Sequence, residues 1–136
     1  MTDSGKKRIL IVDDEESMRL LLGRVVESIP RVEVTLADGC EQALRLAGGS
    51  RYDLIMLDLL MPGIGGIEVL NRLRAGSPNA ATPVIIVSVL SDPDTKIVCQ
   101  SLGASGYVVK PIERAALVAT VRTQLDAPAR ATAREQ

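Results

Sequence analysis

The chain contains no histidine, no tryptophan and no phenylalanine, and its only aromatic residues are Tyr52 and Tyr107. Without an imidazole, serine–histidine and cysteine–histidine catalysis, histidine metal ligation and an internal phosphohistidine are all excluded. Two tyrosines cannot build the stacking platforms of single-strand nucleic-acid binders. Cysteine is scarce too: Cys40 and Cys99 lie far apart with no metal-ligand spacing. They read as small buried apolar residues in a reducing compartment. No run approaches the roughly 18 apolar residues of a membrane span, and the polar segment Met1 to Lys7 lacks an apolar signal region. The expected location is cytoplasmic, with no membrane contact. Net charge is −1 with the two signs interspersed, which leaves no footprint for direct nucleic-acid binding.

The 136 residues suffice for one domain with its own core. Ile9 to Val12, Leu54 to Leu57 and Val84 to Val87 are continuously apolar, as strands buried on both faces are. Val32-Glu33-Val34-Thr35-Leu36 alternates instead, which predicts an edge strand. A fifth strand is predicted at Tyr107 to Val109. Between the strands the period becomes helical. Met18, Leu21, Leu22, Val25, Val26 and Ile29 form one stripe, and Cys40, Ala43, Leu44 and Ala47 form a second, stopped by Gly48-Gly49. Ile67, Leu70 and Leu73 mark a third helix. A fourth runs from Asp94 to Leu102, started by Ser91-Asp92-Pro93. Pro111 is expected to open the fifth, with Leu117, Val121 and Leu125 inward. Regular alternation of strand and helix predicts an α/β domain over residues 8–125, with one five-stranded, doubly wound parallel sheet and five helices. A doubly buried first strand beside an alternating second fits the flavodoxin-like order 2-1-3-4-5. Residues 1–7 read as a polar N-terminal segment, and residues 126–136, rich in Ala and Arg, as a disordered tail or linker.

The most informative feature is how the strands end. The first runs into Asp13-Asp14, the third into Asp58, the fourth into Ser88 and the fifth into Lys110-Pro111. In the predicted order these groups converge on the carboxyl rim, beside the switch point between the first and third strands, where open α/β sheets place ligands. Adjacent carboxylates repel one another unless a cation is present, and Mg²⁺ accepts a few oxygen ligands plus water. A cation, an ammonium and a hydroxyl around Asp58 would cradle a phosphoryl group, with Asp58 as the nucleophile. Each element alone also has a structural reading. Asp14 can cap a helix beginning near Glu15, Ser88 can be a turn residue, and Lys110-Pro111 can be a helix start. Their joint placement, each at the end of its own strand, favours the site.

These residues resemble the receiver domains of bacterial two-component response regulators. The resemblance covers residues 8 to about 125 and rests on Asp13-Asp14, Asp58 with Met61-Pro62-Gly63, Gly66, Ser88 and the segment Gly103 to Pro111, which is similar to chemotaxis regulators. It implies that Asp58 is the phosphoacceptor. It implies that Asp14, Asp58 and the main-chain carbonyl of Leu60 bind Mg²⁺ directly, with Asp13 acting through water. Lys110 would contact the phosphoryl group, Ser88 would move to it, and Tyr107 would be the switch aromatic that turns inward with Ser88. The changed surface would be the fourth helix, fifth strand and fifth helix. The implied donor is a sensor histidine kinase or a histidine phosphotransfer protein. The implied output is a further domain, a downstream protein or a phosphorylation-dependent homodimer. Such a protein catalyses only its own phosphorylation and dephosphorylation.

The sequence departs from the family at Gly65, where an acidic residue is usual, and at Val89, where Ala or Gly prevails. Leu60 and Leu90 are apolar at the positions flanking the phosphoryl site. These departures bear on the lifetime of the phosphorylated state. A phosphatase with an aspartyl nucleophile typically has a second carboxylate two residues on, where this chain has Leu60. A non-phosphorylated interaction module is disfavoured by the intact site, and a dinucleotide site by Asp13-Asp14-Glu15-Glu16 where glycines would be needed.

Overall fold

The structure, a computed structural model, describes residues 5–126. Ten elements alternate: β1 (Lys7–Val12), α1 (Glu16–Glu27), β2 (Val32–Ala37), α2 (Cys40–Gly49), β3 (Leu54–Leu57), α3 (Gly65–Arg74), β4 (Val84–Ser88), α4 (Pro93–Ser101), β5 (Gly106–Val109) and α5 (Arg114–Asp126). The strands form one parallel sheet in the order β2-β1-β3-β4-β5, the predicted order. α5 includes Asp126, the first residue of the predicted tail, whereas residues 1–4 and 127–136 lie outside the described residues.

Continuous apolarity of the central strands has a direct structural cause: successive side chains point to opposite faces, and both faces are covered. Leu10, Val12, Ile55, Leu57, Val84 and Ile86 pack with residues of α2, α3 and α4. Ile9, Ile11, Leu54, Met56, Ile85 and Val87 pack with residues of α1 and α5. Cys40 and Cys99 are buried free thiols in the first of these cores, the small apolar role expected of them. β2 occupies an edge, and its alternating residues are mostly only half-buried.

Four local expectations are corrected. Leu21 is exposed rather than part of the α1 stripe, and Ile67 is exposed while Val69 takes the inward position on α3. Pro111 does not open α5. Glu113 Oε1 accepts from the Ala116 N–H at 2.8 Å, and the helix begins at Arg114. Nor does Asp14 cap α1, whose N-cap position is Glu15 with no side-chain cap bond. At α4 the expectation holds: Asp92 Oδ2 accepts from Thr95 N–H at 3.0 Å and Pro93 follows it.

Register is what assembles the rim. Val12 pairs with Leu57 and Leu57 with Ile86, so Asp13, Asp58 and Val87 are level. Ser88 pairs with Val109, and the Lys110 N–H donates to the Ser88 carbonyl at 2.8 Å. Every residue singled out at a strand end therefore lies at the same edge.

Candidate functional site

Asp13 and Asp58 leave the ends of β1 and β3 side by side, the Asp58 N–H donating to the Val12 carbonyl at 3.1 Å. Both are buried, whereas Asp14 is exposed. One carboxylate oxygen from each of the three lies within 4.8 Å of the others. Lys110 arrives from the end of β5, and its Nζ stands 3.0 Å from Asp13 Oδ2 and 3.5 Å from Asp58 Oδ2. Ser88 is fully buried at the end of β4, where its Oγ accepts from the Leu90 N–H at 3.1 Å. Tyr107 on β5 donates its hydroxyl to the Leu90 carbonyl at 2.7 Å. Leu90 thus links the Ser88 hydroxyl to the Tyr107 hydroxyl through its two backbone groups. The structure brings Asp13, Asp14, Asp58 and Lys110 together, while Ser88 and Tyr107 meet at Leu90 on the neighbouring strands of the same rim.

The electrostatics follow from this packing. Burial pushes the Asp58 carboxyl above its ordinary value of 3.8, opposed by the Lys110 charge and reinforced by that of Asp13. Burial alone would pull Lys110 down, but the bond to Asp13 and the charges of Asp58 and Asp13 outweigh it and raise the ammonium above 10.5. Burial likewise raises the Tyr107 hydroxyl, and the nearby Ser88 hydroxyl draws it part of the way back. The pair Lys110–Asp13 is nearly dry, with side-chain exposures of 10% and 1%, so it is screened far less than a surface pair. One ammonium cannot neutralise three carboxylates. The donor set is oxygen throughout, and Asp14 is open to solvent, which suits a hard divalent cation that keeps part of its water shell.

Two features of the site go beyond the sequence reading, which matched Gly66 to the family without giving it a role and did not single out Arg19. Gly66 is required sterically: a Cβ there would overlap the Asp58 carbonyl oxygen and sit 2.6 Å from Leu59 Cα. The Gly66 N–H also donates to the Leu59 carbonyl at 3.0 Å, so α3 starts hard against the chain that carries Asp58. Arg19 Nη1 donates to the Asp13 carbonyl at 2.9 Å, a contact six residues back along the chain that no pattern of charges announces. Leu60 and Val89 stand 53% and 56% exposed beside the site, whereas Leu90 is half-buried against the core.

A five-stranded doubly wound sheet with an acidic cluster, a lysine and a hydroxyl at its switch-point rim defines the flavodoxin-like class, which places its ligands at that rim. Comparison with known proteins agrees: residues 9–122 match the family described as the response regulator receiver domain. The chain belongs to that family, whose members are signalling domains. It is 36% identical over 123 residues to the DNA-binding response regulator MtrA of Mycolicibacterium smegmatis, covering 90% of this chain and 52% of that protein. It is 34% identical over 116 residues to the sensory/regulatory protein RpfC of Xanthomonas campestris, covering 84% of this chain and 16% of that protein. The chain thus spans about half, or less, of the length of the curated relatives it matches. Among solved structures, a response regulator from Chloroflexus aurantiacus superposes with a TM-score of 0.83 at 30% identity, covering 90% of this chain and 99% of that one. The receiver domain of a Pseudomonas aeruginosa sensor histidine kinase, solved with magnesium in its active site cleft, gives a TM-score of 0.81 at 25% identity, covering 90% and 99%.

Proposed function

We propose that this receiver domain accepts a phosphoryl group from a partner phosphohistidine onto Asp58 and signals through the surface of α4, β5 and α5. The observation that carries the proposal is the meeting of Asp13, Asp14 and Asp58 within 4.8 Å, with Lys110 Nζ 3.5 Å from Asp58. An Asp58 oxygen attacks phosphorus, the phosphorus–nitrogen bond to the partner imidazole breaks, and that imidazole leaves with the electron pair and recovers a proton. Asp58 becomes an acyl phosphate. Asp58 follows directly on the last residue of β3, and Gly66, having no Cβ, lets α3 start hard against the backbone that carries it. Lys110 is anchored by Asp13 and presents its charge to the transferred oxygens.

Asp14, Asp58 and the main-chain carbonyl of Leu60 would hold Mg²⁺ directly, and Asp13 would do so through water. When bound, the ion supplies positive charge that offsets the carboxylates and the phosphoryl oxygens. Ser88 is placed to donate to a phosphoryl oxygen once its bond from Leu90 is released. Since the Tyr107 hydroxyl rests on the carbonyl of the same Leu90, motion of Ser88 disturbs Tyr107 as well, which gives a two-state element spanning β4 and β5.

The donor is a sensor histidine kinase or a histidine phosphotransfer protein, in keeping with the absence of histidine here and with similarity to the receiver of a sensor histidine kinase. The output is a further domain, a downstream protein or a homodimer formed on phosphorylation, with no direct nucleic-acid contact by this domain. The setting is the bacterial cytoplasm; among the described residues no helix is long and apolar enough to cross a membrane. Radiolabelled phosphohistidine donor should transfer label to the wild type only with Mg²⁺ present. Label that survives Asp58→Asn at wild-type level would sink the assignment.

A further inference from the structure

The three carboxylates at the rim are held in different ways. Asp13 is fixed on all sides: its N–H donates to the Ala37 carbonyl at 3.2 Å, Oδ1 accepts from the Glu15 N–H at 2.9 Å, and Oδ2 accepts from Lys110 Nζ at 3.0 Å. Asp58 accepts from the Leu60 N–H at 3.3 Å and faces Lys110 at 3.5 Å. Asp14 is exposed, and among the described residues no hydrogen bond or ion pair holds its carboxylate. Its position therefore depends on the backbone alone. The peptide plane that sets it is the one joining Asp13 to Asp14, and the carbonyl oxygen of that plane is the acceptor of Arg19 Nη1 at 2.9 Å.

Arg19 lies on the first turn of α1, and no carboxylate is within ion-pair distance of it among the described residues. A guanidinium this close to an acidic cluster opposes cation binding by simple Coulomb repulsion. It is also a strong, charge-assisted donor to a backbone carbonyl. These two effects on cation affinity have opposite signs, so experiment can separate them.

We propose that Arg19 is a positioning residue. By pinning the Asp13–Asp14 peptide it preorients Asp14 toward a divalent cation, and this tether outweighs the repulsion. The inference rests on the function proposed above. It is tested on the whole 136-residue chain by calorimetric titration with Mg²⁺. Arg19→Met should weaken binding about fivefold, less than the full worth of one charge-assisted bond because the substitution also relieves the repulsion. Arg19→Lys, which keeps a donor of similar reach, should recover most of the loss. In an Asp14→Asn background, Arg19→Met should change affinity by less than about twofold, because the carboxylate it positions is gone. Without metal, amide hydrogen exchange at Asp14 and Glu15 should quicken in Arg19→Met while β3 amides stay protected.

Tighter or unchanged Mg²⁺ binding in Arg19→Met would overturn the proposal, as would an undiminished loss in the Asp14→Asn background. Wild-type protein that binds no Mg²⁺ would instead overturn the proposed function. The metal-free exchange experiment would then still decide whether Arg19 tethers the peptide.

Discussion

Among the described residues five polar or charged side chains are buried, and they divide between opposite ends of the sheet. At the amino end, in the segment between α3 and β4, stand Asn79 and Thr82. Asn79 Nδ2 donates to the Ala47 and Ser50 carbonyls at 2.7 and 2.8 Å. Its Oδ1 accepts from the Tyr52 N–H at 2.8 Å and lies 2.9 Å from the Thr82 hydroxyl. Both donors and both lone pairs of the amide are used. The group is neutral, satisfied, and ties the end of α2 to the entries of β3 and β4. At the carboxyl end stand Asp13, Asp58 and Ser88, where the two buried carboxylates share one ammonium and the exposed Asp14 adds a third negative charge. Both ends spend buried polar groups, but only one leaves like charges facing each other. The satisfied end holds the fold together. The unsatisfied end is the one to which the cation and the phosphoryl group are assigned in the proposed function.

That contrast can be broken most decisively at Asp58. Asp58→Asn should abolish phosphoryl acceptance entirely, read as loss of label from a phosphohistidine donor, while urea denaturation shows a fold no less stable than wild type in the absence of metal. An unfolded variant would show that this carboxylate is structural after all. Asn79→Ala is the converse. It strips the Ala47 and Ser50 carbonyls and the Tyr52 N–H of their bonds, leaves the Thr82 hydroxyl only the Tyr52 carbonyl, and should cost about 2–4 kcal/mol in urea denaturation, yet leave Mg²⁺ affinity within about twofold. Loss of metal binding with full stability would erase the distinction between the two ends.

A finer effect concerns water at the site. Leu60 is exposed beside Asp58 and cannot hydrogen-bond to an attacking water. Leu60→Asn should speed decay of the phosphorylated state up to about tenfold, the equivalent of ~1.4 kcal/mol. An unchanged decay rate would remove Leu60 from control of lifetime. Leu90→Glu is the poorer probe, because Leu90 also packs against the core.

The smallest effect is a slope with pH in metal-free protein. Burial holds the Asp58 carboxyl above 3.8, so through the window from 3.8 up to its raised value the folded state binds more protons than the unfolded state. Stability must therefore fall as pH rises through that window. Asp58→Asn should flatten this part of the profile, whereas Asn79→Ala should lower the whole curve and keep the slope. A profile for Asp58→Asn that falls as steeply as the wild type would locate the proton elsewhere.

Much of this contrast was legible in the chain, for reasons that differ by element. β1, β3 and β4 were readable because both faces of each are covered, which demands unbroken apolar runs. β2 was readable as an edge from its alternation. The helical stripes were right at their centres and wrong at their margins. Leu21 and Ile67 lie one step around the helix from the buried line, and hydrophobicity alone does not resolve that step. Pro111 misled because proline marks a turn as well as a helix start, and Glu113 supplies the bond that begins α5. Asp13, Asp14, Asp58, Ser88 and Lys110 were readable because each ends or follows a strand, and parallel strands bring their ends to one edge. Asn79 was not, since a polar residue in the Ser77-Pro78-Asn79 segment looks like any loop residue until three backbone segments close around it.

The sequence by itself determined the sheet, its order and the set of groups at its rim, because period and strand ends are local properties of the chain. Tertiary structure decided how those groups divide their roles. Lys110 bonds Asp13 across 97 residues and only faces Asp58, Arg19 reaches back to the Asp13 carbonyl, and Gly66 passes where no Cβ fits. Each of these depends on strand register and helix placement to within about an ångström, a precision that hydrogen-bond geometry requires and a pattern of residue types does not encode.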